Sequence, residues 1–162
     1  MNLSTNQPKS MRSDWVIWSM MLLALGGIMV SAYLLWAYTA PGATLACGSS
    51  HGCDTVKNSE YARLLGVPLP LIGLLTFLAI FVLIILRQRF TTIRTDQLPY
   101  LTLALFGITL TGVLYSAYLT YLELFVIVAI CRWCVMSAII MVTIFLLALV
   151  DLRQINQPDH AH

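Results

Sequence analysis

The sequence predicts an all-α protein that is embedded in a membrane as a bundle of four helices. Of its 162 residues, 59% are hydrophobic and only 10% are charged, a composition far more apolar than that of a water-soluble domain. Four stretches with almost no charge each reach the roughly 20 residues that cross about 30 Å of hydrocarbon. They are Trp15–Tyr38, Val67–Leu86, Pro99–Leu122 and Leu124–Val150. We therefore expect one membrane domain over 15–150, with a disordered tail at 1–14 and a polar tail at 151–162.

The connection between the first two spans is the one sizeable loop, 39–66. Within it, Asp54–Leu65 predicts a short helix that ends at Gly66. Pro68 and Pro70 are expected in the first turn of the second span, where a missing N–H costs little. The predicted fold is therefore a membrane four-helix bundle with a loop and short helix between helices 1 and 2.

The fourth apolar run is longer than one span needs, and Arg132 interrupts it. A charge at the centre of a membrane helix costs about 2.5–3.5 kcal/mol on insertion scales, so we place Arg132 at the outer interface. That leaves Cys134–Val150 to cross the bilayer and makes Leu124–Ile130 an apolar turn between helices. Three tyrosines near the outer end of the third span favour an interfacial aromatic belt over contact with a ligand. They are Tyr115, Tyr118 and Tyr121.

Positive charge is divided unevenly between the two sides of the membrane that these spans define. Most lysines and arginines lie on one side, namely Lys9, Arg12, Arg87, Arg89, Arg94 and Arg153, whereas Lys57, Arg63 and Arg132 lie on the other. Because the more positive side faces the cytoplasm, we predict that both termini and a short basic turn, Arg87–Gln97, are cytoplasmic. All four cysteines then lie on the opposite, oxidising side, where disulfides form and persist.

The cysteines occur as two close pairs, Cys47 with Cys53 in the loop and Cys131 with Cys134 at the start of the last span. A C-x-x-C in a helical frame puts both sulfurs on nearly one face, where they close a disulfide or open to a dithiol with one lowered pKa. Two such pairs suit electron transfer by thiol–disulfide exchange. The alternatives are inert structural disulfides, buried cysteines acting as small hydrophobes, and a zinc site, which we disfavour because structural zinc prefers closed sites in folded soluble domains.

A relay of this kind needs a soluble partner at one end and a final electron acceptor at the other. The loop pair can reach a soluble protein, whereas the helix pair can meet an acceptor that dissolves in the bilayer and takes two electrons. These requirements point to a quinone. The sequence has no visible motif for flavin, haem, nicotinamide or a metal, and it lacks the basic runs typical of nucleic-acid-binding proteins.

An ordered set of short motifs resembles the vitamin K epoxide reductase family, especially its bacterial branch. In chain order the motifs are Cys47-x5-Cys53, Ser59-Glu60-Tyr61-Ala62, Gly66-Val67-Pro68 with Gly73 following, Tyr121-Leu122-Glu123-Leu124-Phe125-Val126-Ile127, and Cys131-Arg132-Trp133-Cys134. The resemblance covers roughly 15–150, and the combination in this order makes it specific. A Dsb-type membrane component also uses four helices and two cysteine pairs, but there the C-x-x-C comes first.

The resemblance implies a quinone pocket beside the C-x-x-C, for ubiquinone or for menaquinone or another vitamin K-type quinone. It also implies a thiol:quinone oxidoreductase of the bacterial inner membrane that re-oxidises a periplasmic thioredoxin-fold oxidase. Many bacterial members carry a fused thioredoxin-like domain, which is not seen here, so we expect the partner to be a separate protein. Animal members have a tyrosine four residues after the last cysteine, where this chain has Ala138, which argues against animal-type epoxide chemistry.

The resemblance assigns roles within the loop, since four cysteines alone allow three connectivities. It makes Cys47 the bridge to Cys131 and leaves Cys53 facing the soluble partner. Ser59 matches a family serine that helps hold the loop and the quinone end together, although a helix N-cap would place a serine there equally well. His51, between the loop cysteines, is expected to be an exposed polar residue.

Positions on the last helix suggest roles near the acceptor. Cys134 lies one turn deeper than Cys131, so we predict that Cys134 is the quinone-facing thiolate, stabilised in part by the helix N-terminus. Ala138 and Met141 share its helix face and are expected to line the pocket. Arg132 either lowers the pKa of the neighbouring thiols or anchors the helix, and the sequence does not separate the two roles.

A non-enzymatic membrane scaffold with two structural disulfides is the alternative function. Its disulfides would be inert, whereas those of an oxidoreductase respond to quinol or to a dithiol partner. Structural disulfides usually have potentials below about −300 mV and catalytic ones are more oxidising, so a redox titration separates the two hypotheses.

Overall fold

The computed structural model describes residues 9–40, 55, 63–64, 66–93 and 98–156. These residues form four long helices, named α1 (Lys9–Thr39), α2 (Leu69–Ile93), α3 (Leu98–Tyr121) and α4 (Arg132–Asn156). A π-helical turn, Leu122–Val126, continues α3, and two short antiparallel strands precede α2, β1 (Arg63–Leu64) and β2 (Val67–Pro68). The fold is thus the predicted all-α bundle of four helices.

Each helix contains a stretch that is long and apolar enough to cross a membrane. The four stretches are Trp15–Thr39, Leu69–Arg89, Tyr100–Val126 and Arg132–Arg153. Their outward-facing side chains are large and apolar, as a lipid environment requires, and Trp18, Leu22 and Met29 on α1 are examples. The four helices fit a multi-pass membrane protein, and the predicted number of spans is confirmed for the described residues.

The helices pack in a closed ring in which α1 contacts α2 and α4, and α3 contacts the same two helices. One end of the bundle collects the end of α1, the start of α2, the end of α3 and the start of α4, since Tyr38, Leu69 and Cys131 line one cavity there. The core between them is apolar and includes Met20, Phe77, Leu105 and Ile144. A Cβ added at Gly27 would lie 2.4 Å from the Phe77 ring, so glycine permits the close approach of α1 and α2.

Three predictions about where helices begin or end are wrong. The tail expected to be disordered over 1–14 is helical from Lys9, where α1 begins. The short helix predicted over Asp54–Leu65 is wrong at Arg63 and Leu64, which belong to β1, and most of the remaining stretch lies outside the described residues. Gly66 adopts a φ of 84° in the turn between the two strands, a conformation that glycine takes without steric cost. Pro68 lies in β2 and only Pro70 lies in the first turn of α2.

The predicted basic turn Arg87–Gln97 is also wrong over its first half, because α2 continues to Ile93. Arg87 stays inside the helix because it pairs with Asp151 of α4. Its Nη2 donates to Asp151 Oδ1 at 2.8 Å and its Nη1 lies 2.5 Å from Oδ2. The two side chains are only 8% and 3% exposed, so this is a buried bidentate ion pair at the end of the bundle opposite the C-x-x-C.

Candidate functional site

The C-x-x-C lies where the chain enters α4. The sulfur of Cys131 accepts the main-chain N–H of Cys134 at 3.4 Å, and its carbonyl oxygen accepts the N–H of Val135 at 3.0 Å. Cys131 is therefore the N-cap of α4, with sulfur in the place usually taken by a serine, threonine or aspartate oxygen. This position fixes the direction of the Cys131 side chain relative to Cys134.

A buried glutamate completes the cap from the neighbouring helix. Glu123 lies in the π-helical turn after α3 and is only 6% exposed. Its Oε2 accepts the main-chain N–H of Cys131 at 3.2 Å, and its carboxyl group lies close to the Cys134 side chain. Glu123 thus contacts both members of the C-x-x-C.

The connection between α3 and α4 is folded so that Glu123 meets Cys131. The N–H of Ile127 donates to the carbonyl of Leu122 at 2.8 Å, and the N–H of Ala129 donates to the carbonyl of Glu123 at 3.0 Å. Val128 between them has a φ of 52°, an uncommon conformation that is sterically costly for a β-branched residue. The apolar turn predicted at Leu124–Ile130 is present, and its folding depends on this strained valine.

The two sulfurs differ in their surroundings. Cys131 is 2% exposed and Cys134 is partly exposed, and both are thiols in this structure. A hydrogen bond from the Cys134 side chain, helped by main-chain N–H groups, lowers the pKa of Cys131 below its usual value despite the opposing effect of burial. The sequence predicts that the N-terminus of α4 stabilises a thiolate at Cys134. In the structure, a main-chain N–H at this N-terminus donates to the sulfur of Cys131 instead, so Cys131 is the sulfur favoured as a thiolate.

A cavity of about 160 Å³ opens beside the two cysteines at this end of the bundle. All four helices contribute to its wall, which is mainly apolar, with Leu34 from α1, Ile72 from α2 and Leu119 from α3. From the last helix, the residues predicted to share the face of Cys134 line the same cavity, namely Ala138 and Met141. The cavity therefore connects the reactive pair with a volume suited to an apolar molecule.

Tyr115 on α3 also lines this cavity, and its hydroxyl group is buried without a hydrogen-bond partner among the described residues. The prediction that Tyr115 belongs to an interfacial belt is thus wrong. Tyr118 and Tyr121 are more than half exposed, at 53% and 55%, and they fit the predicted belt. A buried phenol without a partner is costly, and it can donate a hydrogen bond to a carbonyl oxygen placed in the cavity.

The model of the vitamin K epoxide reductase family matches residues 18–149 of this chain. The chain belongs to the vitamin K epoxide reductase family. The matched segment contains both cysteine pairs, Cys47 with Cys53 and Cys131 with Cys134. As a member of this family, the protein is a membrane oxidoreductase of the general thiol/quinone type, and the cavity beside its C-x-x-C is the candidate active site.

For this vitamin K epoxide reductase homologue, part of the predicted site lies outside the described residues. Cys47, Cys53, His51 and Ser59 are in this group, so their roles stay predictions. The quinone-facing role of Cys134 and quinone binding by Ala138 and Met141 also stay predictions. Arg132 is exposed at the start of α4, consistent with its expected place at the membrane interface.

Two residues of the site were not identified from the sequence of this vitamin K epoxide reductase homologue. In the sequence, Glu123 stands out only as part of a family motif, although a carboxyl group in an otherwise apolar run is itself a signal of function. Trp133, inside the C-x-x-C, packs against Tyr33 of α1 with ring centroids 4.9 Å apart. That contact holds the start of α4 against α1 and helps to fix the position of the two cysteines.

Proposed function

We propose that this vitamin K epoxide reductase homologue transfers two electrons at a time from a periplasmic thioredoxin-fold oxidase to a quinone in the bilayer. The electrons pass through the loop pair, Cys47 and Cys53, and then through Cys131 and Cys134. The observation that carries the proposal is that both cysteines of the C-x-x-C line an apolar cavity formed by all four helices. An inert structural disulfide has no need of such a cavity.

The lining of the cavity fits a quinone ring. Its walls are largely aliphatic and aromatic, as at Leu34, Ile72 and Phe77, and they suit the faces of a flat apolar ring. The buried hydroxyl of Tyr115 is an available donor for a carbonyl oxygen of the ring. A bound quinone supplies a two-electron acceptor, and ubiquinone and menaquinone both have this chemistry.

The chain's own thiols perform the exchange steps. A Cys47 thiolate attacks the sulfur of Cys131 in the oxidised C-x-x-C, and Cys134 leaves as the free thiol. Cys53 then attacks Cys47, which closes the loop disulfide and releases Cys131. The hydrogen bonds that lower the pKa of Cys131 also make it a good leaving group in that step. The soluble dithiol partner then reduces the loop disulfide and is itself oxidised.

The proposed orientation places both termini in the cytoplasm and both cysteine pairs on the periplasmic side of the inner membrane. It rests on the distribution of lysine and arginine along the chain. A membrane-impermeant maleimide added to intact, reduced spheroplasts should modify Cys47 or Cys53. Modification only after the membrane is opened would show that the orientation is inverted.

The function is tested by anaerobic quinone reduction in detergent or in proteoliposomes. Purified protein and a reduced periplasmic thioredoxin-fold oxidase should bleach the absorbance of added ubiquinone or menaquinone, and Cys131→Ser or Cys134→Ser should abolish the reaction. If the protein is a scaffold, the wild type will reduce no quinone, and its disulfides will titrate below about −300 mV.

The route through the loop is tested separately by trapping. Cys53→Ala should enrich a disulfide between Cys47 and Cys131 in a mass-spectrometric map. Enrichment of a bond between Cys53 and Cys131 in Cys47→Ala would instead exchange the roles of the two loop cysteines. Cys134→Ser should accumulate the mixed disulfide at Cys131 while it fails to reduce quinone.

A further inference from the structure

We propose that Glu123 is the group that accepts the proton of the Cys134 thiol when the C-x-x-C is oxidised. The inference rests on the proposed quinone reduction and adds a proton path to it. Three observations carry it: the carboxyl group is buried, it accepts the Cys131 N–H at 3.2 Å, and it lines the cavity together with Cys134.

The burial of Glu123 calls for a functional reason. The residue is 6% exposed within the span Tyr100–Val126, where an ionisable side chain is expensive and is usually functional. No salt bridge to Glu123 is present among the described side chains, and its contacts are the Cys131 N–H and the Cys134 side chain. The Cys131 N–H donates to the carboxylate, and the single S–H of Cys134 can turn from the Cys131 sulfur to the carboxylate, so the site accommodates the basic form that a proton acceptor needs.

A purely structural role explains less of the geometry. Capping the N–H of Cys131 requires an oxygen acceptor only, which glutamine, asparagine or a main-chain carbonyl also provides. The carboxyl group of Glu123 makes the second contact with the Cys134 side chain, and it does so inside the cavity. A side chain that bridges a thiol and a cavity can move a proton between them.

When quinone oxidises the C-x-x-C, the quinone gains two electrons and two protons. The S–S bond forms between a Cys131 thiolate and the Cys134 thiol, which together give up two electrons and one proton. Glu123 takes that proton from Cys134 and gives it to an oxygen of the quinone, while water at the outer face supplies the second proton. The quinone takes the two electrons, and Glu123 returns to its carboxylate form for the next cycle.

Within the described part of the chain, few other titratable side chains lie near Glu123. Around the cavity they are Cys131 and Cys134 on α4, Tyr115 on α3 and Tyr38 on α1, and the lining residues of α2 include none. Arg132 is adjacent to Cys131 but is exposed. Protonation of the Cys131 thiolate also slows closure at acidic pH, so only the part of the pH dependence that Glu123→Gln removes and Glu123→Asp keeps is assigned to Glu123.

The test uses Glu123→Gln, which keeps the size of the side chain and an oxygen that can accept the N–H of Cys131. Cys47→Ser and Cys53→Ser are introduced in all proteins, so that only the C-x-x-C reacts. The soluble oxidant diamide closes the reduced pair, and closure is followed by acid quenching and mass spectrometry across pH. Glu123→Asp keeps a carboxylate, and Thr109→Val is the control for altering a buried polar residue of α3 outside the cavity.

We expect Glu123→Gln to slow closure by about tenfold or more at neutral pH and to alter the pH profile of closure, whereas Glu123→Asp keeps the wild-type profile. Thr109→Val should behave as the wild type. Closure by Glu123→Gln at the wild-type rate, with an unchanged pH profile, would overturn the inference, even if quinone reduction were lost. If Glu123→Gln closes more slowly but the wild-type protein reduces no quinone, the role of Glu123 in closure stands and the quinone proposal is refuted.

Discussion

The main-chain N–H of Cys134 donates to the sulfur of Cys131, so the first cysteine of the C-x-x-C caps the helix that carries the second. The helix N-terminus and the Cys134 side chain thus act on the same sulfur, and both stabilise its charged form. This arrangement assigns different chemistry to two residues that the motif alone treats as equivalent. Cys131 is the low-pKa thiol at the cap, and Cys134 is the thiol that contacts Glu123.

The lowered pKa of Cys131 predicts a pH-dependent reactivity that Cys134 controls. In a protein without the loop cysteines, the rate of Cys131 alkylation by iodoacetamide should reach half its maximum at a pH below the usual value for a thiol. Cys134→Ala removes the side-chain donor and should move this midpoint to higher pH, whereas Cys134→Ser keeps a donor and should shift it less. Peptide mapping by mass spectrometry measures each rate, and an unchanged midpoint in Cys134→Ala would contradict the assignment.

Removal of the Tyr115 hydroxyl should weaken quinone binding. Tyr115→Phe loses one hydrogen bond, worth about 0.5–1.5 kcal/mol, so the KM for quinone should rise by about twofold to tenfold. Tyr118→Phe makes the same chemical change on the same helix at an exposed position and should leave KM unchanged. Equal effects of the two substitutions in steady-state assays would show that Tyr115 does not contact the quinone.

A methyl group added at Gly112 should reduce the volume of the cavity. A Cβ at this position would lie 2.7 Å from the sulfur of Met141, a flexible side chain that lines the cavity and can yield into it. Gly112→Ala should therefore raise the KM for quinone by about tenfold. Gly107→Ala, with nothing within 4 Å of the added Cβ, is the matched control on α3. A normal KM in Gly112→Ala would place the quinone elsewhere.

The buried ion pair between Arg87 and Asp151 should be essential to stability and not to chemistry. Arg87→Met leaves the Asp151 charge buried without this partner and should destabilise the bundle by about 3–5 kcal/mol. Replacing both residues, as in Arg87→Met with Asp151→Leu, should recover most of that loss. Arg89→Met, at an exposed position, should change stability by no more than about 0.5 kcal/mol. Thermal unfolding in detergent measures all four proteins, and an equally stable Arg87→Met would refute the prediction.

Much of the fold could be predicted because a bilayer imposes simple rules on a sequence. Uncharged stretches long enough to cross the membrane located all four helices, and the small number of cysteines led directly to Cys131 and Cys134. The buried position of Arg87 could not be predicted in the same way, because its partner Asp151 is distant in sequence. A charged residue near the end of an apolar run has the same local pattern whether it faces water or a buried partner.

The details of the site depend on backbone geometry that composition does not reveal. Glu123 reaches Cys131 only because a π-helical turn and a positive φ at Val128 fold the connection back. The hydroxyl of Tyr115 lies in the cavity while Tyr118 faces outward, although both tyrosines lie in the same uncharged stretch of the sequence. The rotation of α3 about its axis decides which tyrosine faces the cavity, and packing among all four helices sets that rotation.

The most direct measurement of the central claim is the number of electrons that the reduced protein gives to quinone in the absence of any soluble partner. Fully reduced protein, freed of reductant and mixed anaerobically with excess quinone, should bleach about two quinones per chain, because each dithiol is a two-electron donor. The protein with Cys47→Ser and Cys53→Ser should bleach about one per chain, and Cys134→Ser should bleach none. Bleaching by Cys134→Ser equal to that of the wild type, or no bleaching by the wild type, would contradict electron transfer from the C-x-x-C to quinone.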